Sequence, residues 1–184
     1  MPALRKLLTG LALGAALSAL VGCAALGPKH AVGNTTVPQP AKPVDLTRYL
    51  GRWYEIARYE QGFQKGCEGV TADYSLRDDG LIRVVNHCRK PDGKLDDAVG
   101  RAKVVDTATN AKLKVSFFGP FFGDYWVLDH AEDYSWAIVG EPSGRYLWLL
   151  AREAEPGAAK VEALYARAQA LGYDTTMLRR TQQT

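Results

Sequence analysis

Short runs of alternating apolar and polar residues, separated by turn residues, occupy the sequence from residue 44 to residue 156. In one run, Val70, Ala72, Tyr74 and Leu76 alternate with polar neighbours. Successive side chains of an extended strand point to opposite faces, so this alternation predicts strands with one apolar and one polar face. The region contains no long helical pattern. We therefore predict an all-β domain.

Eight such runs follow one another, each joined to the next by a turn. Their predicted ranges are 52–59, 70–76, 81–87, 98–106, 112–117, 124–128, 134–139 and 145–151. Eight antiparallel strands in a hairpin-connected series can close into a barrel, which removes the unpaired edges of an open sheet. The predicted fold is therefore all-β, an eight-stranded up-and-down antiparallel β-barrel.

Apolar residues recur at helical spacing after the last strand, including Val161, Leu164 and Ala168. This spacing predicts one C-terminal amphipathic helix over residues 156–171 that packs on the outside of the barrel, or alternatively binds a partner. We expect a short strand at 176–180 to follow it. A helical turn is expected at 45–50, before the first strand.

The first 22 residues have the order of an export signal. Arg5 and Lys6 precede the uncharged apolar run 7–20, which small residues follow. The run is too short for a membrane-spanning helix, which needs roughly 20 apolar residues. We assign residues 1–22 to a lipoprotein signal peptide and exclude them from the fold.

The tetrapeptide Leu20-Val21-Gly22-Cys23 closes the apolar run and resembles a bacterial lipobox. The resemblance implies cleavage before Cys23, whose diacylglycerol and palmitate chains would anchor the protein durably to a membrane. An ordinary signal followed by an incidental cysteine is the alternative. Ala24 comes next instead of aspartate, which by the same resemblance favours the outer membrane, with the domain facing the periplasm.

Residues 23–43 are rich in proline and have no periodic apolar pattern, which is typical of a tether. A coil of about 20 residues has an end-to-end distance on the order of 25 Å, so the barrel domain at 44–184 would stay near the membrane. The signal holds two of the 23 basic and none of the 20 acidic side chains. The mature chain is therefore almost neutral and lacks the basic excess of a nucleic-acid-binding protein.

Small residues fall on the predicted inward faces of the strands. They are Ala57, Ala72, Gly100 and Ala102. A barrel filled by its own side chains would need larger apolar residues at these positions, so the pattern favours an interior cavity. Relief of crowding where the barrel tapers is the alternative.

Three separated segments resemble the signature regions of lipocalins, in particular the bacterial outer-membrane lipocalins and apolipoprotein D. They are Gly51-Arg52-Trp53-Tyr54-Glu55, Tyr125-Trp126-Val127-Leu128-Asp129 leading through Tyr134 to Ala137, and Leu149-Leu150-Ala151-Arg152. The resemblance covers residues 45 to 181. It implies a lipocalin barrel with Trp53 at a closed floor and Arg152 against its ring, an arrangement that cation–π attraction supports. Gly51, Trp53, Asp129 and Arg152 are accordingly predicted to be structural.

The same resemblance places the loops at 60–68, 90–97, 118–123 and 141–144 at the open mouth. The third loop is unusually apolar, because Phe117, Phe118, Phe121 and Phe122 surround a Gly-Pro turn. Two interpretations are open. The rings gate the cavity or touch the membrane, or some of them pack down into the barrel.

Cys67 and Cys88 form an even pair on neighbouring predicted strands of an exported protein, since Cys23 would carry lipid. We predict a disulfide between them. A bridge requires Cβ atoms about 3.5–4.5 Å apart, so the predicted register must be shifted by a bulge near Cys67.

These features favour a carrier that binds one fatty acid, phospholipid, lysophospholipid or similar amphiphile in the barrel, for storage or transport in the cell envelope. The predicted ligand-binding residues are Glu55, Ala57, Tyr74, Ala102, Val115, Phe117, Tyr125 and Trp148. Glu55 has a second interpretation, as the partner of a buried basic or tyrosine side chain. The alternative function is a structural or stress-related envelope protein with a packed barrel and a protein partner.

An enzyme is not expected, because no nucleophile with its base and no metal-ligand spacing occurs in the sequence. His87 and His130 are interpreted as ordinary surface or turn histidines, and His30 lies in the tether. We predict no metal and no cofactor. A catalytic cysteine in the cavity would require a free thiol. The sequence does not specify the oligomeric state and leaves a homodimer open.

Overall fold

The computed structural model describes residues 33–34 and 36–183, so the predicted signal peptide and Cys23 lie outside this part of the chain. The strands, in chain order, are β1 Gly51–Tyr59, β2 Glu68–Leu76, β3 Ile82–Arg89, β4 Leu95–Val104, β5 Lys112–Phe118, β6 Phe121–His130, β7 Trp136–Gly140, β8 Leu147–Ala151 and β9 Leu178–Arg180. The helices are α1 Leu46–Tyr49 and α2 Ala158–Ala170, with 3₁₀ turns at Gly62–Gln64 and Thr175–Met177. All eight predicted strands and the C-terminal helix are confirmed.

The first eight strands form a closed antiparallel barrel. Each strand from β2 to β7 pairs with the next, β8 pairs with β1, and β1 also pairs with β2. The short strand β9 pairs with the C-terminal end of β1, where Tyr59 lies opposite Leu178. Among the described residues, no helix is long and apolar enough to span a bilayer.

Two apolar layers stabilise this fold. One lines the interior of the barrel and includes Trp53, Leu113 and Val139. The other lies between the outer barrel surface and α2, where Leu164 and Ala168 are buried against the strands. The predicted packing of the helix outside the barrel is therefore confirmed.

A β-bulge in β1 reverses the side-chain alternation of this strand. Glu55 pairs with Leu150 and Ala57 with Leu149, so Ile56 is an extra residue in the ladder. Ala57 consequently points outward and is completely buried beneath α2. The prediction that Ala57 faces the cavity was wrong, because it assumed an uninterrupted period of two.

The floor of the barrel is closed by α1 together with Trp53 and Arg152. The indole Nε1 donates to Tyr49 O at 2.8 Å, and the Arg152 Cζ lies 3.8 Å from the ring centroid. Arg152 also donates to the backbone oxygens of Arg52, Arg48, Tyr49 and Leu50 at 2.7–3.2 Å. One side chain thus satisfies the carbonyls at the end of α1 and covers the indole.

Gly51 joins α1 to β1 with a φ of 93°, a conformation that favours glycine. A Cβ at this position would lie 3.4 Å from Nη1 of Arg152. Asp129 holds the other side of the fold, since its carboxylate pairs with Arg167 of α2 and lies 3.6 Å from Lys42 Nζ. These contacts are consistent with the structural roles predicted for Gly51 and Asp129.

The described part of the predicted tether packs on the barrel, which differs from the free coil expected from its prolines. Asn34 forms a β-bridge with Tyr173, and the Tyr59 hydroxyl donates to Gly33 O at 3.1 Å. Further along, Ala41 N donates to Leu128 O at 2.7 Å. The segment therefore runs along the outside of the barrel from the mouth end towards the floor.

The predicted disulfide between Cys67 and Cys88 is confirmed, with the two Cα atoms 5.3 Å apart. The expected register shift is also present. Glu68 pairs with Arg89 but Thr71 pairs with His87, so β2 carries one extra residue between these pairs. This bulge brings Cys67 to Cys88 at the mouth end of the β2–β3 hairpin.

We predict that Arg152→Ala lowers the free energy of unfolding by about 2–4 kcal/mol, because it removes charge-assisted hydrogen bonds and uncovers Trp53. Arg152→Lys should restore only part of this loss, since lysine lacks the planar fork that stacks and binds several carbonyls. Urea unfolding followed by tryptophan fluorescence measures both variants. Arg83→Ala, at an exposed position of β3, is the matched control. Equal stability of Arg152→Ala and Arg83→Ala would contradict the role assigned to Arg152.

Candidate ligand-binding cavity

A cavity of about 1060 Å³ lies inside the barrel and opens at the end opposite Trp53. This space contradicts the alternative of a solidly packed barrel. Most of its lining is apolar and includes inward residues from several strands: Ile82, Val84, Ala102, Leu113, Val115, Val139 and Leu150. The alternation of each strand delivers these side chains to the interior and directs the polar neighbours outward.

Of the four small residues from which the cavity was predicted, two line it directly and one makes room for a ring in its wall. Ala72 and Ala102 line the cavity. Gly100 leaves room for a neighbouring ring, since a Cβ there would lie 2.7 Å from Cδ1 of Phe117. Phe117 therefore lies across β4 and forms part of the wall.

Three tyrosine hydroxyls meet at the bottom of the cavity. The Tyr125 hydroxyl lies 2.8 Å from the hydroxyl of Tyr49 and 2.8 Å from that of Tyr74. The rings also pack together, with centroids of Tyr49 and Tyr74 5.6 Å apart. All three residues line the cavity, and we call them the tyrosine cluster.

Burial keeps the tyrosine cluster protonated. It raises the pKa of Tyr74 to about 12 and the pKa values of Tyr49 and Tyr125 well above their ordinary value of 10.0. Removal of the phenolate from water is the largest cause of the raised pKa of each group. The neighbouring tyrosines make smaller contributions, some of which raise the pKa and some of which lower it. The cluster is therefore neutral at physiological pH.

Glu55 lines the cavity, but its carboxylate is fully engaged. It accepts hydrogen bonds from Arg58 Nη1 at 2.7 Å, from the Thr181 hydroxyl at 2.5 Å and from Gln64 Nε2 at 2.5 Å. Arg58 is completely buried and also contacts Glu60. The interpretation of Glu55 as the partner of a buried arginine is supported, and Glu55 has no free charge to offer a ligand.

The mouth is bordered by aromatic and polar side chains. Trp148 Nε1 donates to Gln64 Oε1 at 3.1 Å, and the indole stacks on Tyr146 with centroids 5.7 Å apart. Tyr146 in turn stacks on Phe63, whose ring is 68% exposed. Charged and polar groups of Lys90, Asp96, Asp97 and Glu141 complete the rim.

The four rings of the phenylalanine-rich loop lie in different environments. Phe118 and Phe121 are 81% and 78% exposed at the rim, whereas Phe117 is packed into the wall. Phe122 lies beneath a cationic group, with Lys103 Nζ 4.6 Å from its ring centroid. The packing of Phe117 agrees with the second interpretation, and a gating or membrane role for the exposed rings stays a prediction.

Seven of the eight residues predicted to bind ligand line the cavity, and Ala57 does not. Sequence reasoning missed Tyr49, which belongs to α1 and not to a strand, and Arg58, which the bulge turns inward. The adjacent apolar pair Ile56-Ala57 is the signal that could have revealed the broken alternation. The predicted disulfide also removes both cavity cysteines as thiol nucleophiles.

Comparisons with known proteins agree with this architecture. A family model described as a lipocalin-like domain matches residues 44–183. Outer membrane lipoprotein Blc of Vibrio cholerae is 40% identical over 156 residues, which cover 82% of this chain and 91% of that protein. Apolipoprotein D of Macaca fascicularis is 38% identical over 148 residues, or 74% and 76% of the two chains. The solved structure of insecticyanin from the tobacco hornworm Manduca sexta is similar in fold, with a TM-score of 0.61 at 22% identity over 79% of this chain and 83% of that chain.

We predict that the tyrosine cluster makes the protein less stable in alkali. The unfolded chain loses the Tyr74 proton near pH 10, while the folded protein retains it to about pH 12. The stabilising contribution is therefore complete below pH 10 and is lost as pH rises towards 12, by up to about 1.4 kcal/mol per pH unit. In Tyr74→Phe the free energy of unfolding should fall less steeply in this window. Urea unfolding across the window measures the slope, and an unchanged slope would contradict the assignment.

Proposed function

Because this chain belongs to the lipocalin family, we propose that it binds one small apolar or amphiphilic ligand, such as a fatty acid or a lysophospholipid, inside its barrel. The observation that carries the proposal is the cavity of about 1060 Å³ with its apolar wall and single mouth. Pockets for small ligands are concave and mostly apolar, with a few polar groups that fix orientation. The cavity has these properties.

Burial of an acyl chain supplies the binding free energy. Each methylene removed from water contributes about 0.8 kcal/mol, and most of the cavity lining is apolar. A charged head group would lose its hydration in this space, so it stays at the rim beside Lys90 and Glu141. Glu55 holds Arg58 and the C-terminal segment and does not receive the head group.

We further propose that the protein acts from the outer membrane, anchored through lipid on Cys23 and with its domain in the periplasm. Relatives at 40% identity are named outer membrane lipoprotein, which supports this location. Cys23 lies ten residues before Gly33, and ten extended residues span at most roughly 35 Å. Gly33 contacts Tyr59 at the mouth end of β1, so the anchor would keep the mouth and its exposed phenylalanines close to the lipid.

The binding proposal predicts that Ala102→Phe weakens binding of a fluorescent fatty acid at least tenfold. The added ring points into the cavity from β4 and occupies space that the acyl chain needs. Val105→Phe adds the same ring at an exposed position after β4 and should bind as the unmodified protein does. Titration followed by displacement with unlabelled fatty acid measures both. Absence of saturable binding to the unmodified protein would contradict the proposal.

The anchoring proposal predicts that Cys23→Ser moves the protein from the membrane fraction to the soluble periplasmic fraction, because no acyl chain is attached. Metabolic labelling with radioactive palmitate followed by cell fractionation measures both effects. The unmodified chain should be labelled and sediment with the outer membrane. Equal membrane association of the two chains would contradict the anchor.

A further inference from the structure

We infer that the bottom of the cavity is a polar subsite, formed by the tyrosine cluster, that binds an oxygen atom at the inner end of the ligand. The inference rests on the proposed carrier function and narrows its ligand class. The preferred ligand is an amphiphile with a head group at the mouth and a hydroxyl or carbonyl oxygen at the far end of its chain.

The tyrosine cluster carries one more hydroxyl proton than its internal hydrogen bonds use. Three hydroxyls carry three protons, but the two hydrogen bonds that join them, Tyr49–Tyr125 and Tyr74–Tyr125, use only two. The hydroxyl hydrogens can rotate, so the third proton can be offered by any of the three oxygens. Within the described part of the chain, the three hydroxyls form hydrogen bonds only with one another. One donor is therefore available to the cavity.

The tyrosine cluster lies at the closed floor of the cavity. Tyr74 pairs with Gly51 at the start of β1, and the Tyr49 ring packs 5.1 Å from that of Trp53. Both contacts lie at the closed floor, so the spare donor lies at the end of the cavity farthest from the mouth. Tyr125, which carries the central hydroxyl, is the least buried of the three residues.

The cavity wall between the tyrosine cluster and the mouth is mostly apolar. Between the tyrosine cluster and the rim, the cavity is lined mostly by side chains such as Val70, Ala72 and Val115, which cannot pair with an oxygen, and by the amide of Asn86. An oxygen at mid-chain that does not reach the Asn86 amide would be buried without a partner, whereas one at the chain end would meet the spare donor. An unpaired buried polar group costs about tenfold or more in affinity, so the cavity should distinguish the two positions.

Three ligands of equal length test the inference by calorimetric titration of the complete protein. They are hexadecanoic acid, 16-hydroxyhexadecanoic acid and 8-hydroxyhexadecanoic acid. In each, the carboxylate remains at the mouth, because a full charge is more costly to bury than a hydroxyl. We expect the 16-hydroxy acid to bind at least as tightly as hexadecanoic acid, and the 8-hydroxy acid to bind more weakly than the 16-hydroxy acid.

A variant without the three hydroxyls provides the matched comparison. In Tyr49→Phe/Tyr74→Phe/Tyr125→Phe the ring shapes remain, so hexadecanoic acid should still bind, but the 16-hydroxy acid should become about tenfold weaker than hexadecanoic acid. Tyr54→Phe removes a hydroxyl from the outer face of β1, where Tyr54 packs near Val161, and should leave the preference unchanged. If the triple variant does not fold, the three ligands on the unmodified protein decide alone.

The outcomes separate this inference from the carrier proposal. Failure of all three ligands to bind would overturn both. Binding of hexadecanoic acid with a tenfold loss for the 16-hydroxy acid on the unmodified protein would overturn only the subsite, including the case in which a retained water already satisfies the spare donor. A preference that is unchanged in the triple variant would also overturn the subsite.

Discussion

The pairing of Arg152 with Trp53 is the interaction on which the rest of the structure depends. Eight strands that close into a barrel leave two ends, and a space with two open ends would fill with water. Arg152 covers the Trp53 ring and binds the carbonyls at the end of α1, so one end is sealed without an unsatisfied backbone group. The interior then has one mouth, an apolar wall and a floor at which Tyr49 can meet Tyr74 and Tyr125.

β1 serves two layers that require opposite side-chain directions. Near the floor it contributes Trp53 and Glu55 to the interior, and further along it supplies Ala57 to the layer beneath α2. The bulge at Ile56 makes both possible in one strand. It also turns Arg58 towards Glu55, and this buried pair is linked through Thr181 to the C-terminal segment. The position of the helix and the shape of the cavity are thus fixed by the same local irregularity.

Local patterns were sufficient for much of the fold. The alternation in β2 and β5 predicted their inward faces, and the apolar spacing over 156–171 predicted the helix, because these signals depend on neighbours in the chain. Features that depend on distant residues were not accessible. Ile56 becomes a bulge because of packing against α2, the engagement of Glu55 needs a residue 126 positions away, and Tyr49 enters the cavity from a helical turn. The proline-rich segment likewise packs on the barrel through contacts such as that of Asn34 with Tyr173.

A crystal structure of the protein with a fatty acid that carries bromine at mid-chain would show whether the acyl chain lies inside the barrel, since anomalous scattering locates the bromine without reference to the protein. We expect one anomalous peak inside the barrel, beside Ala72 and Val115 and on the mouth side of the Tyr125 hydroxyl. A barrel interior occupied by its own side chains, or a peak found only on the outer surface, would contradict this expectation.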